Sequence, residues 1–493
     1  MKQLLPIAVR WFLAAALLAG CYKDKGNYVY HSINDVFAST TADTFQVQRL
    51  DTLKITPSIT AADVSRLRYE WRVYPVADPA EPLGIGKIVV ISRDRNIHEQ
   101  ILLQAQGGNF YYNLDLVSID TVTGVNYFKH LHLQVTTAFQ TGWVLLEQHP
   151  GNMDLSFITP ANKIYHDVYS IANPGKPLPA STNQFLSIAT GSLIGTLNMV
   201  YYGDEGYNLD NTTLEVIGKY SNLFYSPPAM IQPKGMIKPS IFSFGPYTFS
   251  GGKLYALNGI YASKLFGTAF TQPDALGYTV APFAAGGLSF GGIFFDQANH
   301  RFLYDGGSTS TRLKAFPINT SMAFDMNSVQ KTMVTMKAGL GWDLWPDNWY
   351  AIFKNDGDDS CFLYTVNANG DFVANPVAAG RQAILNSPDV QKSPDYLFSS
   401  TVKQMYYAAD NKLYVYDMAA NQSRVIYTFA AGENVTALQM MNNVITLATY
   451  NGTAGGGTVY YLPISSTGDI TGNQYSQQFT GFDKIICLRF KVG

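Results

Sequence analysis

A chain of 493 residues carries 34 Lys and Arg against 36 Asp and Glu, a formal net charge of −2. Only 14% of its residues are charged, well under the roughly 25% usual in soluble proteins; the balance gives no electrostatic footprint for DNA or RNA, and nucleic acid is excluded as a partner. Disorder is excluded too, because 32 Tyr, 29 Phe and a 47% hydrophobic content allow extensive apolar burial.

The chain begins with a lipoprotein signal over residues 1–20. Lys2 and Arg10 flank a short leading region, the apolar run Trp11 to Leu18 follows, and Leu18-Ala19-Gly20-Cys21 closes it. The run is shorter than the roughly 20 residues that span a bilayer and ends in small residues, as a secretory signal does. Leu-Ala-Gly-Cys has the form of a lipobox, which makes Cys21 the lipidated mature N-terminus. Two or three acyl chains anchor a protein stably, so a membrane-tethered globular body is expected. Cys361 and Cys487 remain, in a compartment where thiols oxidise; two buried thiols and one long-range disulfide are both open.

From residue 21 to 138 the pattern is strand-like. Asp51-Thr52-Leu53-Lys54-Ile55-Thr56 and Leu67-Arg68-Tyr69-Glu70-Trp71-Arg72-Val73 alternate, as do Asn109 to Val117 and Phe128 to Val135. Alternation over such short lengths, with turn residues between, predicts a small antiparallel β-sandwich of the Ig/PKD-like kind. Trp71 is its expected core plug.

Residues 141–493 read as a repeat array. Apolar strands that could each open a unit centre near Phe185, Ile241, Phe283, Leu344, Tyr396, Val435 and Ile485. A second marker recurs as Lys253-Leu254-Tyr255, Phe302-Leu303-Tyr304, Phe362-Leu363-Tyr364, Lys412-Leu413-Tyr414 and Val459-Tyr460-Tyr461. Both run at about 50 residues, the period of a four-stranded propeller blade. The fold class is therefore all-β: a sandwich, then a β-propeller of about seven blades, with six or eight as alternatives. The final strand, Ile486 to Val492, lacks three partners of its own. Trp143 to Glu147, Leu155 to Ile158 and Ile164 to Tyr169 supply them, so the C-terminal strand is expected to close the ring.

Several motifs have a chemical and a structural reading. Gly287-Leu288-Ser289-Phe290-Gly291 matches the nucleophile elbow, but an elbow needs a helix after the turn and Ile293-Phe294-Phe295 reads as strand. His130-Leu131-His132 places two imidazoles on one strand face without the third ligand a zinc site needs. Asn355-Asp356-Gly357-Asp358-Asp359 could hold Ca²⁺ through Asp356, Asp358 and Asp359, although no Glu closes the loop and an Asp/Gly turn accounts for it. Tyr201-Tyr202-Gly203-Asp204-Glu205-Gly206-Tyr207 is a tyrosine-flanked turn of the same kind. In Trp342-Asp343-Leu344-Trp345-Pro346-Asp347-Asn348-Trp349-Tyr350, three of the six Trp fall among hydrogen-bonding side chains. That mixture suits sugar stacking or peptide side-chain pockets, while alternate core packing is its competing reading. Trp342, Trp345, Trp349 and Tyr202 are the ligand candidates; no catalytic residue and no resident metal is assigned.

The segment Cys21-Tyr22-Lys23-Asp24-Lys25-Gly26-Asn27-Tyr28 resembles the PKD-like family of Bacteroidetes lipoproteins, together with Asp51-Thr52-Leu53-Lys54-Ile55, Tyr69-Glu70-Trp71 and Thr141-Gly142-Trp143-Val144-Leu145-Leu146-Glu147. Where the family often has an acidic residue before the Tyr of its opening motif, this chain has Val29-Tyr30. The resemblance implies an outer-membrane lipoprotein facing the cell exterior, an accessory of a SusC/SusD-type uptake system. Its partners would be a TonB-dependent SusC-like transporter and a SusD-like lipoprotein, and its ligand an oligopeptide before an oligosaccharide. The competing function is a propeller hydrolase or lyase, for which Asp343, Asp347 and Glu205 are the candidate carboxylates; it requires two acids, or His and an acid, to converge in the largest pocket.

Overall fold

The structure, a computed structural model, describes residues 33–75, 88–105, 111–190, 195–243, 245–257, 265–306, 311–342 and 345–493. The signal segment and Cys21 lie outside the described residues. The chain divides into two compact units, Met1–Thr136 and Thr137–Gly493.

The first unit is a β-sandwich. Its five-stranded sheet runs Thr44–Gln48, Asn126–Thr136, Tyr112–Asp120, Leu67–Pro75, Val89–Ser92. Thr52–Ile55 pairs with Ile97–Gln100, and Phe37–Ser39 with Ser58–Thr60. Period-two alternation sets each strand's inner face: Tyr69, Trp71 and Val73 are buried, while Glu70 and Arg72 pair at 2.9 Å on the other side. Trp71 is fully buried among Leu53, Ile55, Ile97, Leu114 and Leu133, and its indole N–H donates to the Asp94 carbonyl at 3.0 Å. One pairing departs from the antiparallel expectation. Thr44–Gln48 joins Asn126–Thr136 in parallel, which a hairpin cannot do and a long intervening connection can.

The second unit is a β-propeller. Its sheets are antiparallel; among the described residues seven have three or four strands, and Gly341–Trp342 with Trp345–Pro346 makes a separate two-stranded pair. Six open with Thr182–Ala189, Pro233–Ile237, Val280–Ala285, Thr332–Ala338, Tyr396–Phe398 and Asn434–Met441. Each opening strand lies at the inner edge of its sheet, beside the opening strands on either side. The remaining sheet runs Ile164–Tyr165, Asn152–Ile158, Gly142–His149, Lys484–Lys491. Here the inner strand is the last in the sequence, pairing Trp143 with Phe490 and Leu145 with Leu488. It sits between Asn434–Met441 and Thr182–Ala189, completing the ring.

The second marker lies on the third strand of its sheet in every instance. Both faces of these strands are buried, which is why consecutive residues are large. Leu363 packs towards the next sheet and Tyr364 towards the previous one. Aromatic pairs fill the gaps between sheets, such as Phe295 with Phe353 at 4.9 Å, and stack across neighbouring strands of one sheet, as Tyr407 does on Tyr414 at 4.8 Å. The Tyr- and Phe-rich composition is spent there.

Three strand positions differ from the sequence reading. The unit expected around Ile241 opens earlier, at Pro233–Ile237; Ile241 and Phe242 are exposed loop residues whose hydrophobicity imitates a strand. The unit expected around Leu344 opens at Thr332–Ala338, and Leu344 lies outside the described residues. Ile164 to Tyr169 is a two-residue strand followed by the helix Val168–Ala172, because buried Asp154 accepts hydrogen bonds from the Tyr169 and Ser170 N–H groups and holds the first turn.

Candidate functional site

Strands that open the sheets run in the same direction around the ring, so residues near their starts converge on the axis. There they line a pocket of about 260 Å³, with Asn183, Gln184, Lys234, Asp395, Thr436 and Arg489 in its wall. Lys337, from the inner strand Thr332–Ala338, pairs its Nζ with the Asp395 carboxylate at 2.6 Å. Burial draws Lys337 below the usual lysine range; Asp395 opposes this and the like charge of Arg489 reinforces it. Arg489 donates from Nη1 to the Leu488 carbonyl at 2.9 Å. Lys234 and Arg489 thus share a pocket wall with Asp395, with which Lys337 pairs, in a protein otherwise poor in charge.

Another cleft, of about 360 Å³, opens between the sheets of the fourth and fifth opening strands, Thr332–Ala338 and Tyr396–Phe398, near Tyr350, Arg381, Gln382, Lys403 and Met418. Its wall holds no acid and no His, and the axial pocket's wall holds one acid. Neither pocket assembles the acid pair or His–acid pair that hydrolysis or elimination needs.

A His–acid set does exist where the ring closes. His149 Nδ1 lies 2.6 Å from Asp483 Oδ2, and Nε2 lies 3.4 Å from Asp167 Oδ1. The Asp483 N–H donates to Glu147 Oε2 at 2.8 Å, and Asp483 Oδ1 accepts from the Gly455 N–H at 2.8 Å. Burial opposes charge on His149, but Asp483, Glu147 and Asp167 outweigh it and raise its pKa. Burial also raises Glu147. These contacts join the strand Gly142–His149 to the chain entering Lys484–Lys491, so the set is a seam between sequence-distant segments.

Of the ligand candidates read from sequence, Trp349 and Tyr202 lie in different sheets. Trp342 and Trp345 pair across a short two-stranded turn, with their side chains, and Asp343, outside the described residues. Trp349 is 4% exposed and its indole N–H donates to the Gly286 carbonyl at 2.9 Å, which commits it to the core. Half-buried Tyr202 packs its ring 4.9 Å from Tyr207, at the turn joining the second and third strands of its sheet. Glu205 in that turn accepts from the Ser221 N–H and hydroxyl. Asp347 precedes the second strand of its sheet, so it and Glu205 lie on opposite faces of the ring and cannot act as an acid pair.

Asp358 accepts from the Ser360 N–H at 2.7 Å and from the Asn355 amide, and Thr332 donates to Asp356. Cys361 Sγ faces the Asp359 carbonyl at 3.7 Å. Hydrogen bonds from the loop and the neighbouring strand therefore engage the Asp356 and Asp358 carboxylates, and among the described residues no three His, Cys, Asp or Glu are placed to hold a metal. His130 Nδ1 lies 2.8 Å from Asp115, and His132 packs on Tyr111. Gly287 to Gly291 is a loop between strands, where the Ser289 hydroxyl donates to the Asn369 carbonyl at 3.0 Å. Cys361 and Cys487 are free and buried, and burial pushes the Cys361 thiol up to about 11.

Lys234, Lys337, Asp395 and Arg489 have no local motif, because each comes from a different sheet. A signal was present nonetheless: Lys337 follows the buried Met336 on one inner strand, and Arg489 lies between Leu488 and Phe490 on another.

Residues 21–181, a third of the chain, match the model of the PKD-like family. No curated protein matches the chain. Among solved structures it is similar to a quinoprotein alcohol dehydrogenase-like protein of Bacteroides thetaiotaomicron, with 12% identity and TM-score 0.45 over 89% of this chain and 96% of that one. It is also similar to a DUF4784 family protein of Bacteroides caccae, at 8% identity and TM-score 0.31 over 92% and 98%. TolB of Acinetobacter baumannii matches at 9% identity and TM-score 0.32 over 79% and 81%. Likenesses this distant carry no argument about activity.

Proposed function

We propose that this protein is a non-catalytic surface lipoprotein, anchored in the outer membrane through Cys21, that serves a SusC/SusD-type nutrient uptake system. The propeller holds an oligomeric substrate, peptide in preference to glycan, and presents it to the transporter. The observation that carries the binding role is the axial pocket, where Lys234, Lys337, Asp395 and Arg489 meet from separate sheets. Polar groups converging in a concavity on a rigid ring are what a recognition site requires. The uptake context rests on the N-terminal resemblance to PKD-like lipoproteins, in keeping with the match over residues 21–181.

The test is a pull-down of the intact protein from gently solubilised outer membrane. Recovery of a TonB-dependent barrel together with a SusD-like lipoprotein is the expected result. Recovery of the protein alone, from cells grown under conditions that induce it, would remove the uptake reading.

A further inference from the structure

Building on that binding role, we infer that the axial pocket takes a carboxylate, presented by the C-terminus or an acidic side chain of a short peptide. The charge census comes first. Lys337 and Asp395 largely neutralise each other at 2.6 Å, which leaves Lys234 and Arg489 as excess positive charge in the same wall. Among the described residues no carboxylate lies within ion-pair distance of Arg489. Its guanidinium gives a donor to Leu488 and keeps others, in the planar fork that receives a carboxylate through two parallel hydrogen bonds. Holding like charges close together in a partly desolvated site is unfavourable, and a bound anion relieves it.

The wall also distinguishes between sources of carboxylate. Among the described residues it contains no aromatic ring, the flat platform on which a sugar face packs. It does contain the amides of Asn183 and Gln184, which can both donate to and accept from a peptide backbone. At about 260 Å³ the pocket lies just below the usual range of ligand sites, roughly 300–1,000 Å³. That size suits one chain end or side chain rather than a stretch of polymer.

Titration calorimetry on the full chain in detergent tests this with three probes: tetraglutamate, tetraglutamine with an amidated C-terminus, and trigalacturonate. Tetraglutamate is expected to bind, the neutral peptide about tenfold or more weaker, and R489Q to lose about tenfold for tetraglutamate. K403Q, which removes a cation from the other cleft, should match the parent. Equal binding of both peptides, indifferent to R489Q, overturns the carboxylate inference and leaves the peptide-binding role standing. Absence of binding to either peptide overturns both. Trigalacturonate bound through Arg489, with no peptide bound, overturns the peptide assignment. If R489Q does not fold, D395N decides: losing the acid should tighten tetraglutamate several-fold, and unchanged affinity overturns the inference.

Discussion

Lys491 is fully buried, and its ammonium donates to three backbone carbonyls: Phe139 at 2.8 Å, Gln140 at 2.7 Å and Asn211 at 2.7 Å. Three donors meet three acceptors, tying the last strand to the first strand's approach and to the neighbouring sheet. Replacing Lys491 with Met keeps the stem and orphans the carbonyls, so chemical denaturation should show a loss of about 2–4 kcal/mol. Burial draws this lysine down to about 8, against the pull of Asp210, whereas an unfolded chain holds its proton to about 10.4. Between those values the unfolded state binds more protons, so the titration of Lys491 makes the unfolding free energy climb as pH rises from 8 towards 10 and leaves it independent of pH below 8. The parent should show that rise in unfolding free energy and K491M should lack it; parallel curves over pH 8–9.5, below tyrosine ionisation, would refute the assignment. Sequence could not reveal this lysine's role. It reads there as an ordinary polar position near a terminus, and its partners lie about 280 and 350 residues away.

The closing strand Lys484–Lys491 is both a strand and a latch. It buries Ile485 and Leu488 completely, at about 2–3 kcal/mol each, and satisfies the inner edge of Gly142–His149, which would otherwise be an exposed edge open to aggregation. A chain ending at Asp483 should be insoluble or lose its cooperative melting transition, while one lacking just Val492 and Gly493 should melt within a few degrees of the parent. The seam also carries a pH dependence. His149 has a raised pKa, so its contribution is present below the unfolded value of about 6.5 and is lost as pH climbs through the folded one. Glu147, raised by burial, acts in the same direction from a lower starting pH. Melting temperature should therefore fall as pH rises from about 6 to 8, and Asp483→Asn should flatten that fall; an unchanged slope would show that the seam does not titrate. Strand type, the period near 50 and the third-strand marker were all legible, because burial on both strand faces forces large consecutive residues. Two opening strands were misplaced where exposed Ile241 and Phe242, or the Trp-rich turn, carried more hydrophobicity than the strands themselves.

At the scale of the whole molecule, each unit owns a core. Trp71, Leu114 and Leu133 fill one within Met1–Thr136, and the ring closes through residues of Thr137–Gly493 alone. Stability that resides in separate cores does not require the other unit. Residues 137–493 expressed alone should give a folded propeller whose calorimetric transition lies within a few degrees of one seen in the full chain. A transition lowered by more than about 10 °C would mean that the units fold as one body. The proposed membrane anchor, Cys21, precedes both cores in sequence. A thioether-linked diacyl group with an N-acyl chain anchors a protein stably in a bilayer, where one chain binds marginally. Cys21→Ser should move the protein from the membrane pellet to the soluble fraction and abolish incorporation of labelled palmitate. Purified C21S should still bind whatever peptide the parent binds, with unchanged affinity, because nothing in the axial pocket depends on the anchor. Retention of C21S in the pellet would show that a protein surface, rather than lipid, holds the molecule there.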